Sequence, residues 1–261
     1  MTHLARRATA EAVGTAFLVA AVVGSGIAAA RLSPGNVGLQ LLENAVATGA
    51  ALTALILALQ PVSAAFNPIV TLLERAWGAL SSAEAAALIG AQVAGGIVGA
   101  VAANLMFGLP AVSAATTQRT GGGLWLGEII ATAGLLLVVF GTVRAGRADR
   151  VGYAVGGYIT AAYWFTSSTS FANPAVSLAR MFSDTFAGIA PSSVPMFVLM
   201  QLLGGGAGYL LIGALYPNPP SVAADLTADT ADTADTADTT TADTSNVVSP
   251  ASTIFERTER P

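Results

Sequence analysis

Cysteine and lysine are absent from this chain, and histidine occurs once, at His3. Without cysteine there is no disulfide, no thiol nucleophile and no thiolate metal site. With its one imidazole at the chain terminus, the body has no histidine to act as a general base or a metal ligand, and no phosphate-binding loop is present, so an enzyme is disfavoured. Charge is scarce as well: 10% of the 261 residues are charged and 54% are hydrophobic, with a mean hydropathy of +0.66. A soluble domain carries about a quarter charged residues, so this balance points to a polytopic membrane protein. The formal charge of −4 is unevenly spread. From Pro217 onward there are eight acidic residues and two arginines, whereas the body has nine arginines and seven acids. A body so weakly basic indicates no nucleic-acid partner.

Long apolar runs dominate the rest. Six reach membrane-spanning character: about Thr9 to Ala30, Val37 to Gln60, Ala83 to Phe107, Leu124 to Val143, Val151 to Ser167 and Val194 to Tyr216. The first has signal-peptide-like flanks but no convincing cleavage site, and is read as retained. The connector from Gly108 to Gly123, rich in Thr and Gly, divides the chain into halves of about 9–107 and 124–216. After Pro217 comes an Ala-Asp-Thr repeat, Ala228 to Asp238, that has no means of packing a core. Residues 217–261 are read as an acidic disordered tail.

Two stretches are too short and too polar to span. Ala65-Phe66-Asn67-Pro68-Ile69-Val70 and Phe171-Ala172-Asn173-Pro174-Ala175-Val176 each read as a helix start, with Asn as the cap and Pro at the first helical position. A helix that begins at membrane depth presents unpaired N–H groups and a positive dipole end there. Such backbone is tolerated only when buried in protein or facing a watery cavity. Other features recur in the same order. Glu11-Ala12-Val13-Gly14-Thr15-Ala16 matches Glu128-Ile129-Ile130-Ala131-Thr132-Ala133, and Gln92-Val93-Ala94-Gly95-Gly96 matches Gln201-Leu202-Leu203-Gly204-Gly205. Three spans per half force the second copy to insert upside down, giving an inverted repeat. Gln92 and Gln201, beside small glycines, read as helix-packing positions.

The paired Asn-Pro signatures, with the repeated Glu and Gln elements, resemble the aquaporin and glycerol-facilitator (major intrinsic protein) family over roughly residues 9 to 216. The resemblance implies an all-α membrane protein of six transmembrane helices and two re-entrant half-helices, in a homotetramer, with no cofactor and no metal. It places Asn67, Pro68, Ile69, Asn173, Pro174 and Ala175 at a central constriction where both Asn amides donate into a pore. Glu11 and Glu128 become supports for the re-entrant loops rather than proton relays. Val176, directly after the second Asn-Pro-Ala, falls in the outer selectivity filter, and counting back without gaps from Asn173 and Asn67 puts its other members at Ser170, Ala161 and Ala47. Val176 stands where the family normally has Arg, and Ile69 where it normally has Ala. The ring is then wide, weakly polar and uncharged, unless Arg180, one turn further on, takes over the charge. Glu74 occupies the equivalent turn at the cytoplasmic mouth of the first half.

The implied function is passive diffusion of small uncharged solutes across the cell's inner membrane: glycerol-like polyols, with or without water, and undissociated arsenite or antimonite hydroxides. The metalloid reading comes from bacterial members with Val at this position and a similar stretch to Ala179–Phe186, which are associated with arsenic resistance. A coupled secondary transporter is the competing reading, because inverted repeats and broken helices occur there too. Arginine placement sets the orientation. With both termini cytoplasmic, Arg6, Arg7, Arg75, Arg144, Arg147 and Arg150 lie inside, and Arg31, Arg119 and Arg180 lie outside.

Overall fold

The computed structural model describes residues 1–216, all of whose regular elements are helical. The acidic tail, 217–261, lies outside the described residues. In chain order the helices are α1 (His3–Leu32), α2 (Val37–Leu59), α3 (Pro68–Ala76), α4 (Ser82–Met106), α5 (Gly122–Arg144), α6 (Val151–Phe165), α7 (Pro174–Ala179) and α8 (Val194–Leu215). Short 3-10 turns lead into α6 and α8 and follow α7.

Helix starts follow local chemistry. Asn36 caps α2 through its side-chain oxygen, 3.0 Å from the Leu39 N–H. Ser81 and Glu84 form a reciprocal capping box at the start of α4. α1 begins six residues earlier than its apolar run, because Thr2 caps it and Arg6 and Arg7 occupy its first turns, where a helix can stand in water. Four of the helices, α1, α2, α4 and α5, are long and apolar enough to cross a bilayer, as is α8 taken with the turn before it. α6 has 15 residues, short of the roughly 20 that span a hydrocarbon core. The chain after it, from Thr166 to Asn173, turns back into the protein and is largely buried there.

The packing is that of two equivalent sets. α1 packs on α4 as α5 packs on α8, and α1 on α2 as α5 on α6. Each half-helix lies against both α4 and α8, and so against a spanning helix of either half. Exchanging the sets leaves this pattern of neighbours unchanged, as an internal repeat requires. Large apolar side chains such as Phe17, Val98, Trp164 and Leu210 are exposed on the periphery, where a membrane protein meets lipid rather than water.

Close approach depends on glycine at matched positions. A Cβ on Gly95 of α4 would run into the Ala12 carbonyl of α1, and one on Gly204 of α8 would lie 2.6 Å from the Ile129 carbonyl of α5. Ala12 and Ile129 follow the two buried glutamates in sequence, so these contacts set how deep each carboxylate sits. Gly95→Ala is expected to cost about 1–3 kcal/mol through overpacking. Gly206→Ala, whose Cβ would meet nothing within 4 Å, serves as the tolerated control. Thermal unfolding of both variants in detergent checks the difference.

Candidate pore and its supports

Each half-helix opens on an Asn that spends its side chain twice. The Asn67 Oδ1 accepts the Ile69 N–H at 2.9 Å. The Asn173 Oδ1 accepts from Ala175 at 3.0 Å and Val176 at 3.2 Å. Their amide nitrogens reach across the repeat. Asn67 Nδ2 donates to the Ala172 carbonyl at 2.8 Å, and Asn173 Nδ2 donates to the Phe66 carbonyl at 2.7 Å. An amide NH2 carries two donors, so each Asn retains one after this crossed pair is made.

The carbonyls point the right way because Phe66 and Ala172 both sit in the left-handed region, at φ 47° each. Non-glycine residues rarely adopt that conformation, which costs of order 1–3 kcal/mol each. Two fully buried carboxylates hold it in place. Glu11 accepts the backbone N–H groups of Ala65 and Phe66 at 2.9 and 2.7 Å, and also the Ser63 hydroxyl. Glu128 accepts those of Phe171 and Ala172, both at 2.9 Å.

Gln92 and Gln201 do more than pack. Gln92 donates to Glu11 at 2.8 Å and to the Thr71 hydroxyl at 2.9 Å. Gln201 donates to Glu128 at 2.6 Å and to the Ser177 hydroxyl at 2.9 Å. Those hydroxyls in turn donate to the Asn67 and Asn173 carbonyls. A single chain of bonds therefore ties a spanning helix, a re-entrant loop and a half-helix in each half. Packing against small residues misses this; the repeated Glu…Gln pairing within apolar spans was the signal.

Between the half-helices lies a cavity with about 690 Å³ of space, counting the part open to solvent. Asn67 and Asn173 line it, as do Phe66 and Val70. Apolar side chains of α1, α2, α5 and α6, among them Val22, Leu52, Val139 and Ile159, form much of the remaining wall. Two further polar groups face it from α2 and α6: the Thr48 and Tyr163 hydroxyls, 3.3 Å apart. Ser170, Val176 and Arg180 complete the lining.

This revises the positions reached by gapless counting. Ala161 is exposed on the periphery and Ala47 is half-buried, and neither lines the cavity. Thr48 and Tyr163 do so instead. An α-helix turns about 100° per residue, so offsets of one and two residues are enough to move a side chain off the pore. Ser170 and Val176 are on the lining. Ile69 is buried against Leu136, Phe140 and Ile212 and away from the cavity, so it contributes its backbone N–H rather than its bulk. Pro68, Pro174 and Ala175 are buried behind the lining, and Glu74 is half-buried and off it. Among the described residues no three His, Cys, Asp or Glu side chains come together as a metal site.

The family model for major intrinsic protein matches residues 1–163. The chain is 50% identical over 202 residues to aquaglyceroporin AqpS of Rhizobium meliloti (strain 1021), a match covering 77% of this chain and 86% of that protein. The chain belongs to the major intrinsic protein family. Its fold is similar to that of the aquaglyceroporin from Plasmodium falciparum, with a TM-score of 0.62 at 20% identity, covering 82% of this chain and 95% of the other. The family model ends ten residues before Asn173, so the second half-helix is placed by the internal repeat and the fold.

In this family member Glu128→Ala would leave two buried backbone N–H groups unpaired, at about 1–3 kcal/mol each. A lower thermal midpoint in detergent is the expected outcome. Glu128→Gln keeps one acceptor oxygen and is expected to fall between that variant and the wild type.

Proposed function

We propose that the protein is a passive channel for small, uncharged, hydroxyl-bearing solutes, chiefly glycerol-like polyols. The observation that carries this reading is the cavity's amphipathic wall. Two Asn amides, each with a donor to spare, lie on a wall otherwise formed largely by aliphatic side chains. A polyol has the matching character, with hydroxyls along one edge and C–H groups along the other. An ion is disfavoured, because two half-helices aim positive dipole ends at the same place and the aliphatic wall offers no replacement for its hydration.

The name of the R. meliloti relative supports the polyol class. Undissociated metalloid hydroxides belong to the same chemistry, being neutral and bearing several hydroxyls, and Val176 leaves room for them. Nothing in the wall resembles a catalytic constellation, and the reading is of a channel rather than an enzyme. A coupled transporter requires a titratable group in the path. The intramembrane carboxylates Glu11 and Glu128 are instead occupied by the re-entrant loops. The chain is taken to sit in the bacterial inner membrane with both termini cytoplasmic, as a homotetramer, in keeping with its arginine placement and its family.

Stopped-flow light scattering on proteoliposomes tests this. Glycerol and arsenous acid are expected to enter faster than into empty vesicles, with no acceleration by an imposed proton gradient. Val176→Arg is expected to slow glycerol at least about ten-fold by filling the lining. Solute accumulation driven by the gradient would favour the coupled transporter instead.

A further inference from the structure

At Val176 the pore wall is apolar where the family norm is a cation. Arg180 lies four residues on, one turn outward and on the same side of the chain. It lines the same cavity and is 2% exposed. Its Nε donates to the Ala187 carbonyl, and its guanidinium carbon lies 3.5 Å from the centre of the Phe171 ring.

A second arginine repeats the arrangement. Arg119, from the connector between the halves, donates its Nε to the Gly188 carbonyl at 3.0 Å. Its guanidinium carbon lies 5.0 Å from the centre of the same ring. Consecutive carbonyls and one aromatic ring thus hold two positive charges close enough for their fields to add. Burial pushes the Arg119 guanidinium down from its ordinary value, but arginine remains charged in proteins.

Neither guanidinium is ion-paired with a carboxylate among the described residues. No acceptor among them holds the terminal amino groups of Arg180. A buried cation without a counter-ion is expensive, and nearby cavity water and solute are the acceptors available to offset that cost. Ser170 is next to Phe171 in the chain and on the same lining. Its hydroxyl is buried and has no partner among the described residues.

We propose that Arg180, backed by Arg119, is the charged wall of the outer constriction, moved one turn outward from Val176. The Arg180 amino groups donate to the hydroxyl oxygens of an entering neutral solute, with Ser170 as a further polar contact. The paired charges turn cations away before they reach the Asn pair. The shift is about 6 Å along the pore axis, four residues at 1.5 Å each. It leaves a wider chamber around Val176 between the outer charge and the central constriction. This inference rests on the channel reading above.

The test measures potassium and glycerol permeability in proteoliposomes for the wild type, Arg180→Gln, Arg119→Gln and the double variant Arg180→Gln/Val176→Arg. Wild-type glycerol entry no faster than in empty vesicles would sink the channel reading itself. Given that entry, Arg180→Gln is expected to raise the potassium-to-glycerol ratio about ten-fold or more. Arg119→Gln should raise it by a smaller factor, and restoring a cation at position 176 should bring the potassium permeability itself back down. Ratios unchanged in both single variants overturn the proposal. Should Arg180→Gln fail to fold, the ratio for Arg119→Gln decides alone.

Discussion

Everything in the pore depends on two buried carboxylates keeping two short stretches of backbone in a conformation they would not choose. Phe66 and Ala172 are left-handed without being glycine, and each presents the carbonyl that the opposite Asn needs. A carboxylate accepts from two adjacent N–H groups only if both point inward, which fixes the peptide planes around it. Glu11 and Glu128 are therefore conformational clamps. Their place within spanning helices gives the clamp its rigidity, since each helix is locked to its neighbour where Gly95 or Gly204 permits contact.

The clamps also explain why the halves fold together. Each Asn bonds to a carbonyl of the other repeat, so neither half-helix is fully satisfied alone. The contacts that α3 makes with α8 and α7 with α4, beside those within each half, extend that mutual dependence to packing. Twofold repetition is here a structural requirement as well as a trace of the chain's construction. A donor left over on each Asn is the residue of that arithmetic, and it is the part that the proposed channel offers to a solute.

What could be read from the sequence divides along a physical line. Helix starts, the Asn caps and the Glu repeat were legible, because each is a local pattern with a local cause. Thr48 and Tyr163 were not found by counting, because which face of a helix meets the pore depends on its rotation, and the irregular chain between α6 and Asn173 breaks the register. Thr169, Ser170 and Ala172 are all left-handed in that segment, and no sequence pattern announces left-handed Thr, Ser and Ala. Tyr163 still carried a signal of its own, since a phenol within an apolar span needs a hydroxyl partner or water. Gln92 and Gln201 were visible as a repeat but not as bridges, because their meaning lies in a three-way contact that the linear order does not contain.

Position 176 shows how far a fold constrains a filter. The backbone there is held by the Asn173 cap, so the side chain points at the cavity whatever it is, and Val makes that point dry. Placing charge at Arg180 instead leaves the cap untouched, because the guanidinium is held from the far side, by the Ala187 carbonyl and the Phe171 ring. That far side is tied in turn to the clamp, since the Phe171 N–H is one of the two that Glu128 accepts. The carboxylate that holds the Ala172 backbone thus also positions the ring against which the Arg180 guanidinium rests. On the proposed reading, Glu128 therefore bears on the mouth through Phe171 and on the centre through Ala172.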